Sequence, residues 1–200
     1  GYVSLSSVAV STSGGLGIYT AGVRISSWSA ISYSTVVVWN AYGIWLDGST
    51  KTAVSYSTAQ AAGAAVSAIY FGGASSNTVS RSYLRNAVGD AAGFANAIAN
   101  AVSFSTFSVS GTARAINLVA SDSNTFTSIL AQSAAYEAVR FNTGSDDNVV
   151  TLSSAIGFVS GSGPLIFDAS DRNSVSSSYF QNLAGYGFGL INGADNNTVT

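Results

Sequence analysis

Asp122, Asp146, Asp171 and Asp195 recur at a nearly constant interval, and each stands two places ahead of an asparagine: Asn124, Asn148, Asn173 or Asn197. If that interval is one turn of a repeating fold, the four carboxylates stack in a column one rung apart and repel one another. A bound Ca²⁺ would relieve the repulsion, since hard oxygen ligands suit it. The other relief is local, each aspartate capping its own turn through an Asx-type hydrogen bond while facing water. The Gly-Gly-x-Gly-x-Asp nonapeptide of calcium-loaded rolls is absent, so capping is the favoured role and Ca²⁺ the speculative one.

Other chemistry is sparse. The acids close in sequence are Asp146 with Asp147 and Asp168 with Asp171, all expected in turns, and there is no histidine to serve as a base. Arg81, Arg85, Arg114, Arg140 and Arg172 are spread along the chain; Arg140 is expected to project outward from a strand, either to an acidic sugar or into a solvated ion pair. Tyr19, Trp45 and Tyr70 fall at one outward position of successive turns, a pattern that suits a glycan platform or a packing interface. No catalytic residue is assigned, and the expectation is a chain that is not an enzyme.

What would position these residues is a repeat. From Asn77 the chain reads NTVSRSYLRN, and the frame returns at Asn100, Asn124, Asn148, Asn173 and Asn197 at almost even intervals; earlier segments at Val3, Ser29 and Thr52 fit without the asparagine. A second series (small, aliphatic, variable, bulky) follows: GIYT at Gly17, GIWL at Gly43, AIYF at Ala68, GFAN at Gly93, AINL at Ala115, AVRF at Ala138, PLIF at Pro164 and GLIN at Gly189. Two series drifting together mark a solenoid. Period-2 alternation points Leu5, Ile31, Val54, Val79, Val102, Phe126, Val150, Val175 and Val199 inward from a first strand. Val10, Val36, Ala59, Leu84, Phe107, Ala131, Ala155 and Phe180 form a second inward column, and a third runs from Ile18 through Ile44 and Ile69 to Leu190. The asparagines Asn77, Asn100, Asn124, Asn148, Asn173 and Asn197 read as bend residues, tolerant of left-handed backbone and able to form a stacked amide ladder. The Ala-rich stretch 59–74 also admits a helix, but its glycines and its place in the frame favour the repeat.

The NTVS…F/L-x-N core with its following G-I or A-I strand resembles the parallel β-helix repeat of the pectin-lyase-like superfamily, over the whole chain. The resemblance implies an all-β, right-handed parallel β-helix of about eight coils with three short strands each. It implies no single activity, since that superfamily holds lyases, hydrolases, epimerases, tailspikes and adhesins.

Charged residues make up 8% of the chain and hydrophobic ones 47%, with one lysine, six arginines, nine acids and no cysteine. Nucleic acid and anionic membrane are disfavoured as partners, disulfides are excluded, and no apolar run is long enough to insert in a membrane. Residues 1–100 carry +2 and residues 101–200 carry −4, so opposite ends attract. Residues 1–200 read as one β-helix segment without evident caps, part of a longer chain or of an end-to-end assembly. The leading expectation is an extracellular or cell-surface structural or adhesive segment: a stalk, surface-layer or fibre subunit. It would self-associate laterally or head-to-tail, or abut neighbouring β-helix segments. The alternative is a polysaccharide-binding or polysaccharide-processing β-helix with glycan partners. A minor one is ice binding through the Ser/Thr ladder that faces outward from the first strand.

Overall fold

A computed structural model describes residues 3–12, 20–160 and 162–200. Its strands are all parallel and wind into a right-handed β-solenoid of about eight turns of roughly 24 residues. Each turn contributes one strand to each of three sheets, of nine, eight and eight strands, because every crossover returns the chain to the same face one rung up.

The first sheet runs from Val3–Ser6 through strands such as Ala53–Ser55 and Thr125–Thr127 to Thr198–Val199. Its register aligns Val54, Val79, Val102, Phe126, Val150 and Val175 in one inward column. The second sheet stacks Val36, Ala59, Leu84, Phe107, Ala131, Ala155 and Phe180 in the same way. Its outward hydroxyls, amides and Arg85 leave one face to water, the pattern that period-2 sequence demands.

In the third sheet two inward columns meet. Ile44, Ile69, Ala92, Ile116, Val139, Leu165 and Phe188 form one, and Leu46, Phe71, Phe94, Leu118, Phe141, Phe167 and Leu190 the other. Two expectations are corrected here. Phe94 and Leu190 belong to the second column, because GFAN and GLIN begin two positions later in their coils than their counterparts. The first coil's third strand is Ala21–Ile25 rather than GIYT, with Val23 opposite Ile44 and Arg24 opposite Trp45. Ile18 and Tyr19 lie outside the described residues.

The phenylalanines use the rung spacing directly. Phe71 and Phe94 stack at 4.1 Å between ring centroids, Phe141 and Phe167 at 5.0 Å, and Phe126 meets Phe94 and Phe141 edge-on. Each such ring is fully buried, and burying one contributes about 1.5–3 kcal/mol.

Every coil turns on residues held at positive φ. Ser76, Ala99, Ser123, Asp147, Arg172 and Asn196 sit at φ of 55–57°, each directly ahead of a ladder asparagine. The expectation that the asparagines themselves adopt the left-handed bend is therefore corrected: the preceding residue bends, and the asparagine, buried, supplies hydrogen bonds. Asn100, for instance, donates Nδ2 to Asn124 Oδ1 at 3.0 Å and to Ala74 O at 2.9 Å. Asn77, Asn124 and Asn148 repeat the pattern, Asn173 donates to Asn197 Oδ1 and Asn197 to Ser170 O, and every Oδ1 of the ladder also takes a backbone N–H from the rung before. The amide ladder satisfies buried backbone groups that no strand pairing reaches.

No helix forms among the described residues; the Ala-rich stretch is the strand Thr58–Ala61, a loop, and the strand Ile69–Gly72. That loop, residues 62–68, bulges over the outer face of the third sheet.

Candidate functional site

The aspartate column is a chain of caps. Asp122 Oδ1 accepts the backbone N–H of Asp146 at 2.9 Å, Asp146 Oδ1 that of Asp171 at 2.7 Å, and Asp171 Oδ1 that of Asp195 at 2.8 Å. Asp122, Asp146 and Asp171 thus each cap the next rung's turn, not their own. Arg172 lies over the column, bonding Asp147 at 2.8 and 2.9 Å and Asp146 at 3.3 Å. Its guanidinium holds Asp147 below the usual carboxylate range. Among the described residues no group of three or more His, Cys, Asp or Glu side chains is placed to hold a metal ion.

The third sheet's outward face is chemically richer. Its central column reads Arg24, Trp45, Tyr70, Gly93, Asn117, Arg140, Ile166 and Gly189 in register. A second outward column includes Asp47, Gly72, Ala95, Val119, Asn142 and Asp168. Asp90, Arg114 and Glu137 each stand two places ahead of a strand and form a third column on consecutive rungs.

Trp45 and Tyr70 are neighbours on this face, but Arg24 takes the rung expected for Tyr19. Its guanidinium lies 4.6 Å over the Trp45 ring and pairs with Asp47. Tyr42 supplies a third aromatic to this face, stacking on Tyr70 at 4.5 Å and leaning on Trp45 at 5.2 Å.

Beside these rings opens a cleft of about 320 Å³. Tyr42, Tyr70, Asp90, Gly93 and Asn117 line it, with residues 64–67 of the Ala-rich loop as one wall. Gly93 makes the space: a Cβ there would lie 2.8 Å from Ser67 Oγ and 3.1 Å from Tyr70 Cδ2. Buried Asn86 anchors the wall, donating Nδ2 to Val66 O at 2.6 Å and to Asp90 O at 3.2 Å. Gly89 is required beneath it, because any Cβ would collide with the carbonyls of Gly63 and Val66.

Asp90 is the carboxyl of this cleft. Oδ1 accepts the backbone N–H of Arg114 at 3.0 Å and Oδ2 the Asn117 amide at 3.1 Å. Burial nonetheless dominates these stabilising contacts and pushes its pKa above the ordinary carboxylate value. Burial, and then the charge of Asp47, also raise the Tyr70 phenol, which stays protonated as a hydrogen-bond donor. Asn117 Oδ1 has no partner.

A relay of charges continues up the face. Arg114 lies 4.8 Å over the Tyr136 ring, and its Nε is 3.2 Å from Glu137 Oε2, close enough for an ion pair but off hydrogen-bond alignment. Arg140 reaches Glu137 Oε1 at 3.4 Å and bonds Asp168, to which Asn192 also donates at 2.6 Å. Arg140, followed by Asn192, holds Asp168 below the usual carboxylate range, overriding its desolvation. Arg140 thus points outward but is spent on two acids. Asp168 closes the strand Leu165–Asp168 on this face, which corrects the expectation that it sits in a turn.

Asp90 and Glu137 carry no role in the sequence reading. They are distant in the chain and share no motif. The signal is positional: from Asp90 to Arg114 and from Arg114 to Glu137 is one repeat each, in frame with the coils.

The chain is a right-handed parallel β-helix with an aromatic and acidic cleft on one sheet. Among solved structures it is similar to DFA-IIIase from Arthrobacter chlorophenolicus A6 in complex with GF2, with a TM-score of 0.63 and 13% identity over 90% of this chain. The chain spans 50% of the length of that protein. It also aligns with alginate lyase from Paenibacillus sp. str. FPU-7 at a TM-score of 0.37 and 9% identity, covering 100% of this chain and 91% of that one. No family model matches the sequence, and no curated protein does.

The likeness to DFA-IIIase shows the fold. It also corrects the leading expectation of a structural or adhesive segment without enzymatic activity, since the shared architecture belongs there to an enzyme.

Proposed function

We propose that the third sheet's outer face is a saccharide cleft in which glycosidic bonds are cleaved or rearranged, with Asp90 as proton donor. The observation that carries this is a single carboxyl, desolvated and raised in pKa, in a cleft of about 320 Å³ beside the stacked Tyr42 and Tyr70 rings. Breaking a glycosidic bond requires protonation of the leaving oxygen, and a carboxyl whose pKa burial has raised is suited to supply that proton. Flat aromatic and apolar walls suit the C–H faces of sugar rings, while Asn117 and the Tyr70 phenol offer polar contacts to hydroxyls.

Asp90 would give its proton to the departing oxygen, while an incoming water or sugar hydroxyl bonds to the anomeric carbon and releases its own proton to solvent. Glu137, two rungs along the same column, is buried outside the cleft lining and ion-paired to Arg114 and Arg140, so its part is to hold those guanidinium groups. β-Elimination is less well served, because the raised Tyr70 phenol is a poor proton acceptor. An extracellular place of action goes with this function, since polymeric saccharides do not cross membranes unaided.

The test is incubation with a panel of polysaccharides and oligosaccharides, with products followed by mass spectrometry and anomeric NMR. Turnover that falls at least a thousandfold in Asp90→Asn supports the assignment. Turnover undiminished in Asp90→Asn, or no saccharide bound or altered by the wild type, overturns it.

A further inference from the structure

We infer that the cleft selects neutral saccharides and rejects uronate-bearing ones; this rests on the saccharide function proposed above and narrows it. The outer face of the third sheet carries three guanidinium groups, and the protein itself occupies each. Arg24 pairs with Asp47 and lies on the Trp45 ring. Arg114 is taken by Glu137 and the Tyr136 ring. Arg140 is shared between Glu137 and Asp168.

The remaining basic groups are elsewhere. Lys51 sits over Trp28, Arg81 between Tyr56 and Phe104, and Arg172 on the aspartate column, while Arg85 projects from the second sheet. Against the three arginines stand four carboxyl groups, Asp47, Asp90, Glu137 and Asp168. The face is therefore neutral with Asp90 protonated and carries −1 with it ionised. A protein that binds a polyanion leaves cations unpaired at the contact, and among the described residues this cleft has none.

A further feature points the same way. A substrate carboxylate brought beside Asp90 would meet a group already short of solvation, and like charges disfavour each other most where water is excluded.

The experiment measures binding to Asp90→Asn protein, which should bind without turnover, by titration calorimetry at two salt concentrations. The probes are inulin-type and β-glucan oligosaccharides against oligogalacturonate and oligoguluronate of equal length. At least one neutral series should bind tenfold or more tighter than either uronate, with affinity indifferent to salt. Glu137→Gln, added to this background, strips the cover from Arg114 and Arg140. It should raise uronate affinity about tenfold and leave neutral binding as it was. Equal or tighter uronate binding, or no gain on Glu137→Gln, overturns the selectivity while leaving the saccharide function intact. Binding of neither class overturns both.

Discussion

Asn117 gives its side-chain N–H to Asp90 Oδ2 at 3.1 Å, across one rung of the solenoid, and its own carbonyl oxygen is buried without a hydrogen-bond partner. The pair gives a desolvated acid a neutral donor on the cleft wall. Replacing Asp90 with Asn keeps an oxygen for the Arg114 N–H and removes the transferable proton. Asp90→Asn is therefore expected to bind saccharide within threefold of the wild type and to lose turnover at least a thousandfold. The wild-type rate should fall as pH rises through the raised pKa of Asp90, a limb that calorimetric binding to the variant should lack.

The same carboxyl sets a pH dependence of stability. Its folded pKa lies above the unfolded value, so the folded state holds the proton more tightly. Its contribution is fully favourable below the ordinary carboxylate range and is lost as pH climbs through the raised folded value. Asp168 runs the other way. Arg140 depresses its pKa, so its contribution is present above the ordinary value and lost as pH falls through the depressed one. Urea unfolding from pH 3 to 8 should show both limbs. Asp90→Asn should remove the loss towards neutral pH alone, and Asp168→Asn the loss towards acid alone.

Gly93 leaves the space that Tyr70 and the saccharide share. In Gly93→Val the new side chain must displace Ser67 and Tyr70, both already in contact distance of a modest Cβ. Saccharide affinity should fall tenfold or more, while the β-sheet circular dichroism stays as in the wild type because the glycine's φ is not in the left-handed region. Unchanged affinity would remove the cleft from consideration as the binding site.

The scaffold was legible in the sequence because it is made of sameness. Val54, Val79 and Val102 repeat one side chain at one spacing, and Asn77 to Asn197 repeat another, so the inward columns of the first two sheets follow from alternation alone. The cleft is made of difference. Asp90, Arg114 and Glu137 share a register position and change charge at each rung, so a search for recurring residues passes over them. Acids adjacent in sequence, such as Asp146 and Asp147, draw the attention, yet a solenoid brings together residues one period apart. The first coil misleads for another reason: Val23 of its third strand pairs with Ile44 at an interval shorter than the period that GIYT satisfies on paper.

Asn124 sits mid-ladder, and its removal tests what the amide column contributes. Its Oδ1 accepts both the backbone and side-chain N–H of Asn100 at 3.0 Å, and its Nδ2 donates to Ala97 O at 2.9 Å and Asn148 Oδ1 at 3.1 Å. In Asn124→Ala the Asn100 backbone N–H and the Ala97 carbonyl each lose this partner in a buried turn. At about 1–3 kcal/mol for each unsatisfied group, the loss should be about 3 kcal/mol, a large part of the stability of a single domain. Asn124→Asp separates shape from hydrogen bonding. It is isosteric, but its carboxylate would face the Ala97 carbonyl and Asn148 Oδ1, acceptors both. It should therefore be the more destabilised of the two at pH 7 and recover part of the difference near pH 4, where protonation restores one donor. Equal stability of wild type and both variants in urea at pH 7 would show that the ladder records register without holding the coils together.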